Sequence, residues 1–242
     1  MTWANAKIKR IYVGEFLVYP RPYTPNSNTL LYLPFDWNLN NNQWKTITWS
    51  WIAYQKWWVN KVVNLTSTSG SITWPWNLMS SVWTGDYAVS LWVKPTNWGN
   101  PLVFGNWYEW WTYPWAEIFF IFGTAFWVTN KVIALFEAPT WTQKKITSSM
   151  SATSLVWSWH NIVLTRISGV VYLYIDNVLQ WQYSRWTSLA NNNYLIILNR
   201  WGSGQSWTNT WALMDELIVE NKWWTATDVS NYYSVAQQFY TS

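Results

Sequence analysis

The chain has 242 residues, which suits one large domain with a short extension. It contains no cysteine and a single histidine, His160, so it offers neither a disulfide framework nor a ligand set for zinc. Charged residues make up 11% of the chain, and the net charge of +4 is not gathered into a basic stripe, which argues against nucleic-acid binding. No apolar run reaches the roughly 18 residues needed to span a bilayer. The N-terminus also lacks the apolar segment of a signal peptide.

The N-terminal segment predicts a hairpin over residues 8–19, because two apolar runs flank Gly14-Glu15. Pro20, Pro22 and Pro25 follow it and indicate a stiff linker. We therefore divide the chain into a hairpin with its linker, residues 1–26, and a main domain, residues 27–242.

Short strand-like runs recur along the main domain, separated by clusters of Asn, Ser, Gly and Pro. The predicted strands are residues 29–35, 46–54, 61–66, 87–94, 101–104, 116–122, 131–137, 160–166, 169–180, 194–199 and 211–220. Strands at this spacing, with no amphipathic helix between them, predict an all-β, two-sheet antiparallel sandwich. Only the C-terminus predicts a helix, which starts at the capping-box-like Thr225-Ala226-Thr227-Asp228 and packs one face onto the sandwich.

Tryptophan is overabundant and glycine is scarce. The chain has 27 tryptophans and 9 glycines, whereas average usage predicts roughly 17 glycines. Many of the tryptophans stand beside turn-forming residues, namely Trp37, Trp44, Trp51, Trp57, Trp58, Trp76, Trp107, Trp115, Trp181, Trp207 and Trp223. Turns favour glycine because their backbone often needs a positive φ, which a bulky side chain resists.

Two hypotheses account for this composition. In the first, UGA codons that the source reads as glycine, a code used by some uncultivated bacterial lineages and their viruses, are printed as tryptophan. In the second, the protein is truly rich in tryptophan and stacks its indoles on sugars. Trp92 and Trp159 belong to apolar strand patterns and are expected to be authentic, with Trp224 a candidate third.

Several segments resemble the laminin-G-like family of concanavalin A-like jelly rolls. YAVSLWVKP, residues 87–95, is similar to the family's SxWVKP strand. WHNIVLTR at 159–166, followed by VYLYIDNVL at 171–179, is similar to the WHHVALT…LYVDGVL hairpin, with Asn177 at the usual glycine. WALMDELIV at 211–219 is similar to GxIDEVRIY, and FDWN at 35–38 is similar to an opening FDGN. The resemblance implies a jelly-roll sandwich.

The same resemblance implies recognition rather than catalysis, since the family includes sugar-binding lectins, cell-adhesion modules and structural domains. IYVGEFLVYP, residues 11–20, resembles elements that begin some bacteriophage structural and tail proteins. We therefore expect an extracellular or virion-associated module that binds a glycan or a cell-surface receptor, with residues 1–26 contacting other virion or tail proteins. The alternatives are a structural module without a ligand and a divergent glycan hydrolase.

The hydrolase alternative depends on Asp215, Glu216 and Glu220, the acidic residues of one predicted strand. Strand alternation places Glu216 and Glu220 on one face, roughly 13 Å apart, and Asp215 on the other. Neither glycosidase mechanism uses that spacing. His160 occupies a position where the resembled family has a non-catalytic histidine, so we interpret it as structural.

The resemblance also implies calcium near a sheet edge, with Asp36 and Asp215 as the matching carboxylates. The alternatives are an Asx turn at Asp36 and a strand-end hydrogen bond at Asp215. For the glycan or receptor, the candidate loop residues are Asn106, Tyr108, Tyr113 and Arg200.

Overall fold

The computed structural model describes residues 11–13, 16–18, 23–33, 48–50, 53–56, 61–64, 71–74, 85–96, 102–105, 115–125, 127–137, 143–184, 195–197 and 212–240. The strands are β1 Ile11–Val13, β2 Phe16–Val18, β3 Thr29–Leu33, β4 Thr48–Ser50, β5 Ala53–Lys56, β6 Lys61–Asn64, β7 Ser71–Trp74, β8 Tyr87–Pro95, β9 Leu102–Gly105, β10 Trp115–Ala125, β11 Val128–Glu137, β12 Gln143–Ser151, β13 His160–Ile167, β14 Val170–Ile175, β15 Val178–Ser184, β16 Leu195–Ile197 and β17 Ala212–Glu220. The helix α1 is Ala226–Ala236, and short 3-10 helices cover Ala152–Leu155 and Gln237–Phe239.

The described strands form two large antiparallel sheets, which confirms the predicted all-β sandwich. The first sheet has eight strands, in the order β15-β14-β13-β8-β17-β6-β5, with β3 also paired to β17. The second has seven strands, in the order β12-β11-β10-β9-β16-β7-β4. The predicted N-terminal hairpin is also present, since β1 pairs with β2 from Ile11–Val18 to Val13–Phe16.

Both faces of the central strands β8 and β17 of the first sheet are buried. The inward face of β8 carries Val89, Leu91 and Val93, which are at most 2% exposed. The outward face carries Trp92, and the C-terminal helix covers it through a cluster of buried aromatic and aliphatic side chains. This explains why every residue of β17, in the middle of the sheet, is buried. The molecule therefore has a third layer outside the sandwich.

The helix begins at a complete capping box, as predicted. The Thr225 hydroxyl accepts a hydrogen bond from the N–H of Asp228, and the Asp228 carboxylate accepts one from the N–H of Thr225. These two bonds satisfy donors that a helix otherwise leaves without partners in its first turn. Val229, Tyr232 and Ala236 then form the buried face of α1, which fixes its orientation on the sheet.

Gln180 fastens the edge strand β15 of the first sheet to the edge strand β12 of the second. It is an extra residue in β15, because Leu173 pairs with Trp181 and Tyr174 with Leu179. Its Oε1 accepts hydrogen bonds from the N–H and the hydroxyl of Ser149, at 3.1 and 2.8 Å. The bulge thus turns a polar side chain into the seam and closes this side of the sandwich.

Three of the described residues that stand directly before a strand have a positive φ. These residues are Asn177 at 64°, Gly169 at 83° and Trp127 at 61°. Asparagine and glycine are the usual occupants of such positions. Trp127 is an unusual residue for this place, because a bulky side chain resists a positive φ. Trp127 is also 96% exposed, so no burial compensates the cost. Trp157 is a second case, with φ of 69° and 62% exposure.

The strand predictions missed β7 and β12. The sequence of β12, QKKITSSMS, is mostly polar because an edge strand buries little of its surface, and only Ile146 and Ser148 among its described side chains are buried. The predicted run 169–180 divides into β14 and β15 at the turn residues Asp176 and Asn177. These differences concern individual strands and leave the predicted fold class unchanged.

Three of the tryptophans assigned to turns lie among the described residues. Trp115 and Trp181 belong to β10 and β15, so the turn assignment is wrong for both. Trp223 lies outside any strand or helix and is 40% exposed. The other tryptophans assigned to turns lie outside the described residues. Trp92, Trp159 and Trp224, the tryptophans expected to be authentic, are buried.

We expect Trp127→Gly and Trp157→Gly each to raise the free energy of unfolding by about 1 kcal/mol. A left-handed backbone costs a bulky L-residue about 1–2 kcal/mol, and the extra freedom of glycine in the unfolded chain cancels part of that gain. The melting temperature should rise by about 2–4 °C for each kcal/mol in a chain of this size.

The matched control is Trp159→Gly, which empties a buried site and should cost at least about 3–5 kcal/mol. Thermal unfolding followed by circular dichroism measures all three variants. A lower melting temperature for both Trp127→Gly and Trp157→Gly would contradict the prediction.

Candidate functional site

A β-bulge in β17 determines where the acidic side chains of this strand lie. Asp215 pairs with Trp92 and Ile218 with Ser90, so Glu216 and Leu217 together oppose a single residue of β8. Glu216 takes a positive φ of 49°, which interrupts the regular alternation of the strand. Asp215 and Glu216 consequently both reach the helix side of the first sheet.

Tyrosine hydroxyl groups surround these two carboxylates. The Tyr32 hydroxyl donates to Glu216, at 2.9 Å from Oε1 and 2.7 Å from Oε2. The Asp215 Oδ1 accepts the N–H of Glu216 at 2.9 Å, and Tyr240 hydrogen-bonds to the Asp215 side chain. Asp215 and Glu216 are each 1% exposed. Both carboxylates therefore lie buried between the first sheet and the helix.

Glu220 is the third buried carboxylate of β17, and it accepts hydrogen bonds from three donors. The Tyr23 hydroxyl and the Asn26 side-chain amide reach its Oε1 at 2.5 and 2.8 Å. The indole N–H of Trp224 reaches its Oε2 at 2.6 Å. These bonds compensate a charge that is 2% exposed, since a buried carboxylate is costly unless hydrogen bonds replace its lost water.

Aromatic rings fill the space around the carboxylates. Trp92 stacks on Tyr240 with ring centroids 4.1 Å apart and on Tyr233 at 5.7 Å. Tyr232 contacts Trp224 at 5.2 Å. Each tyrosine can bury its ring while its hydroxyl remains available to a carboxylate. We call this group the acidic–aromatic layer: Tyr23, Tyr32, Trp92, Asp215, Glu216, Glu220, Trp224, Tyr232, Tyr233 and Tyr240.

The phenol groups of this layer are held in their neutral form. Burial and the nearby Asp215 and Glu216 charges raise the pKa of Tyr240 well above its ordinary value. Burial, Glu216 and the neighbouring Tyr32 do the same to the pKa of Tyr232. Burial, with the hydrogen bond to Glu220, raises the pKa of Tyr23. The phenols are thus protonated near neutral pH rather than acids or nucleophiles. Those of Tyr23 and Tyr240 donate to carboxylates, whereas the Tyr232 hydroxyl is buried with no hydrogen-bond partner among the described residues.

The layer holds the helix on the sheet and presents no open cleft to a substrate. All three carboxylates are at most 2% exposed, and each is engaged by a donor. The predicted placement of Asp215 on the opposite face from Glu216 and Glu220 is wrong, because the bulge cancels one step of the alternation. The sequence contains this acidic strand but no signal that locates a bulge within it.

His160 forms a second polar contact at the start of β13. Its Nδ1 lies 2.6 Å from Asp176 Oδ2, and Asp176 Oδ1 accepts the N–H of Asn161 at 2.9 Å. Asp176 and Asn177 form the turn between β14 and β15, and Asn177 donates to the Ser230 hydroxyl of α1 at 3.2 Å. Within the described chain, His160 Nε2 is buried with no hydrogen-bond partner, so no hydroxyl completes a catalytic triad there. The contact fixes a turn, as a structural histidine would.

Most of the predicted ligand residues lie outside the described part of the chain. These are Asn106, Tyr108, Tyr113, Arg200 and Asp36. Asp215 makes a local hydrogen bond of the kind expected as the alternative to calcium, although at the bulge rather than at a strand end. Among the described residues, no three or more His, Cys, Asp and Glu side chains are grouped to hold a metal ion. Calcium at Asp36 and Asp215 stays a prediction.

The strand register relates the segments that carry these candidates. β9 and β16 are antiparallel neighbours, with Gly105 paired to Ile196. The chain therefore leaves β9 after Gly105 and leaves β16 after Ile197 at opposite ends of the pair. Asn106, Tyr108 and Tyr113 belong to the β9–β10 connection, whereas Arg200 belongs to the connection that follows β16.

Comparison with known proteins yields matches in structure but not in sequence. No protein-family model matches the chain, and no curated protein matches it. The binding domain of Paraclostridial Mosquitocidal Protein 1 is 14% identical with a TM-score of 0.67, over 85% of this chain and 52% of that one. Domain 4 of AbnA, a GH43 extracellular arabinanase from Geobacillus stearothermophilus in complex with arabinotriose, is 18% identical with a TM-score of 0.67, over 85% and 98%.

A third structure, the receptor binding domain of botulinum neurotoxin C/D mosaic serotype, is 13% identical with a TM-score of 0.63, over 86% of this chain and 51% of that one. The chain thus spans about half the length of the toxin domains and nearly all of the arabinanase domain. At these identities the likeness establishes a shared β-sandwich fold. The first and third of these proteins are described as binding domains, and the second was solved with arabinotriose. Among the described helices of this chain, none is long and apolar enough to cross a membrane.

Alkaline pH should weaken the attachment of the helix. The folded protein keeps Tyr23, Tyr232 and Tyr240 neutral, because their pKa values are raised above those of the unfolded chain. The resulting stability is complete below the ordinary tyrosine pKa of about 10 and is lost as pH rises above it. Phenolate absorbance measured beside circular dichroism should show these tyrosines ionising only as the fold is lost.

The matched variant is Tyr240→Phe, which keeps the ring stacked on Trp92 and removes one hydrogen bond to Asp215. It should lower stability near neutral pH by about 1–3 kcal/mol, the usual cost of a buried acceptor without its donor. That deficit should shrink as pH rises above about 10, since the variant has no phenol to ionise there. Full ionisation of the buried tyrosines in a folded protein would refute this account.

Proposed function

We propose that the chain is a non-catalytic recognition module that binds a cell-surface glycan or protein. The observation that supports this most directly is the sandwich itself, which matches domain 4 of the arabinanase over 85% of this chain and 98% of that one. That domain was solved with arabinotriose, and the two toxin domains are described as binding or receptor-binding. Carried over to this chain, these descriptions favour recognition of a saccharide or a receptor.

The setting we propose is an extracellular assembly such as a phage tail. The hairpin of β1 and β2 supplies an attachment element ahead of the domain, and IYVGEFLVYP resembles the start of phage structural proteins. The described acidic strand favours binding over hydrolysis, because its carboxylates are buried and engaged by tyrosine and indole donors. A module without any ligand, which decorates a virion or cell surface, is the second candidate.

We also propose that part of the printed tryptophan is glycine, from UGA codons read with another code. The support is the contrast between two groups of described tryptophans. Trp127 and Trp157 combine positive φ with exposure, whereas Trp92, Trp159 and Trp224 are buried. If Trp127 and Trp157 are glycines, they have no indole rings on which a sugar could stack. Tyrosine, asparagine and arginine are left as the candidate contacts on the connecting segments.

The coding sequence provides the test of this reading. We expect UGA codons at Trp127 and Trp157 and UGG codons at Trp92, Trp159 and Trp224. Codon sequencing together with mass spectrometry of peptides from the native source decides each position separately. UGG at both Trp127 and Trp157 would reject the reassignment at the positions where the structure favours it most.

A glycan array tests the recognition proposal. The full chain, prepared with glycine at every UGA codon, should bind a restricted set of glycans. Tyr108→Ala with Tyr113→Ala should reduce binding about tenfold or more, because truncation of an aromatic residue at the centre of a binding site costs about 2 kcal/mol or more. Arg200→Ala, in a different connection, shows whether one or two segments contribute.

Absence of binding to glycans and to host-cell surfaces would instead support the structural module. Release of reducing sugar by the same preparation would support the hydrolase. Retained binding by the double tyrosine variant would keep the recognition proposal but remove these residues from the site.

A further inference from the structure

Glu220 connects two parts of the chain that are far apart in sequence. One oxygen of its carboxylate binds Tyr23 and Asn26, which precede the first strand of the main domain. The other oxygen binds Trp224, the residue before the helix cap Thr225. One buried side chain therefore ties the entry of the chain into the domain to the entry of the chain into the helix.

The N-terminal partner is a folded segment, which we call the strap, residues 23–29. The N–H of Asn26 donates to the Thr29 hydroxyl at 2.8 Å, and the N–H of Thr29 donates to the Asn26 carbonyl at 3.0 Å. The Thr29 hydroxyl lies 2.5 Å from the Tyr23 hydroxyl, whose own proton points to Glu220. The strap is thus a closed turn with Tyr23 and Thr29 each 4% exposed.

The helical partner is held at its first residues. The N–H of Trp224 donates to the Thr165 hydroxyl at 2.9 Å, and its indole ring contacts Tyr232 of α1. Tyr23 of the strap also approaches Trp224, with ring centroids 6.5 Å apart. Loss of the strap would therefore remove both a ring contact and the hydrogen bonds that fix the other oxygen of Glu220.

We propose that Glu220 couples the strap to the helix, so that release of the strap loosens α1 and uncovers the aromatic face of the first sheet. Residues before Tyr23 enter the domain through the strap, and a pull on them acts there first. The face that would open carries Trp92, which is 1% exposed under Tyr233 and Tyr240. This coupling is a property of the fold and does not depend on the ligand proposed above.

Hydrogen exchange of the full chain, measured by mass spectrometry, tests the coupling. Tyr23→Phe keeps the ring and removes the hydroxyl from Glu220. We expect it to speed amide exchange in α1 about tenfold, while exchange in β13 and β14 changes much less.

A second variant keeps the test decisive if Tyr23→Phe fails to fold. Asn26→Asp preserves the acceptor for the N–H of Asn28 and places a carboxylate beside Glu220 in place of a donor. It should speed exchange in α1 in the same selective way. Gln180→Ala is the control, since loss of its bonds across the seam between the sheets lowers global stability without touching the strap or the helix.

Two results would overturn the proposal. The first is faster exchange confined to the strap in both variants, with α1 unchanged. The second is uniform acceleration over all strands and α1, the pattern expected of Gln180→Ala, which would mean that the variants act only through global stability.

Discussion

The outer layer of this protein depends on buried carboxylates that accept hydrogen bonds from phenol and indole groups. A bulge at Glu216 places Asp215 and Glu216 on the same side of β17, and Glu220 follows on that side. Because an unpaired buried carboxylate is costly, the surrounding chain must supply donors that are themselves largely apolar. Tyrosine and tryptophan each combine a hydrogen-bond donor with a large apolar ring. The helix, the strap and the outward face of the first sheet all meet at these side chains.

This arrangement separates the two sides of the first sheet. Its inward face is an aliphatic sandwich core with residues such as Val89 and Leu91. Its outward face is a polar–aromatic interface that closes on the helix. Acidic residues on a sandwich strand would ordinarily raise the question of glycoside hydrolysis, but here their burial and their donors give them a structural role. In the proposed recognition module, the ligand contacts would therefore belong to the connections between strands, where binding residues commonly lie.

The described tryptophans divide by environment rather than by neighbours in sequence. Trp92 stacks on Tyr233 and Tyr240, and Trp224 donates its indole N–H to Glu220. Trp127 and Trp157 do neither and hold backbone conformations that suit a residue without a β-carbon. Trp181 is exposed yet extended within β15, so exposure alone does not separate the two groups.

The sequence by itself determined the fold class, most strand positions, the capped C-terminal helix and the burial of Trp92 and Trp159. Local patterns suffice for these, because alternation, turn residues and capping residues act over a few neighbouring positions. It did not reveal β12, whose polar edge sequence lacks the apolar signal, nor the shared side of Asp215 and Glu216. Only the tertiary structure decided those points, since a bulge is set by pairing with β8. The partners of Glu220 lie as far away in the chain as Tyr23.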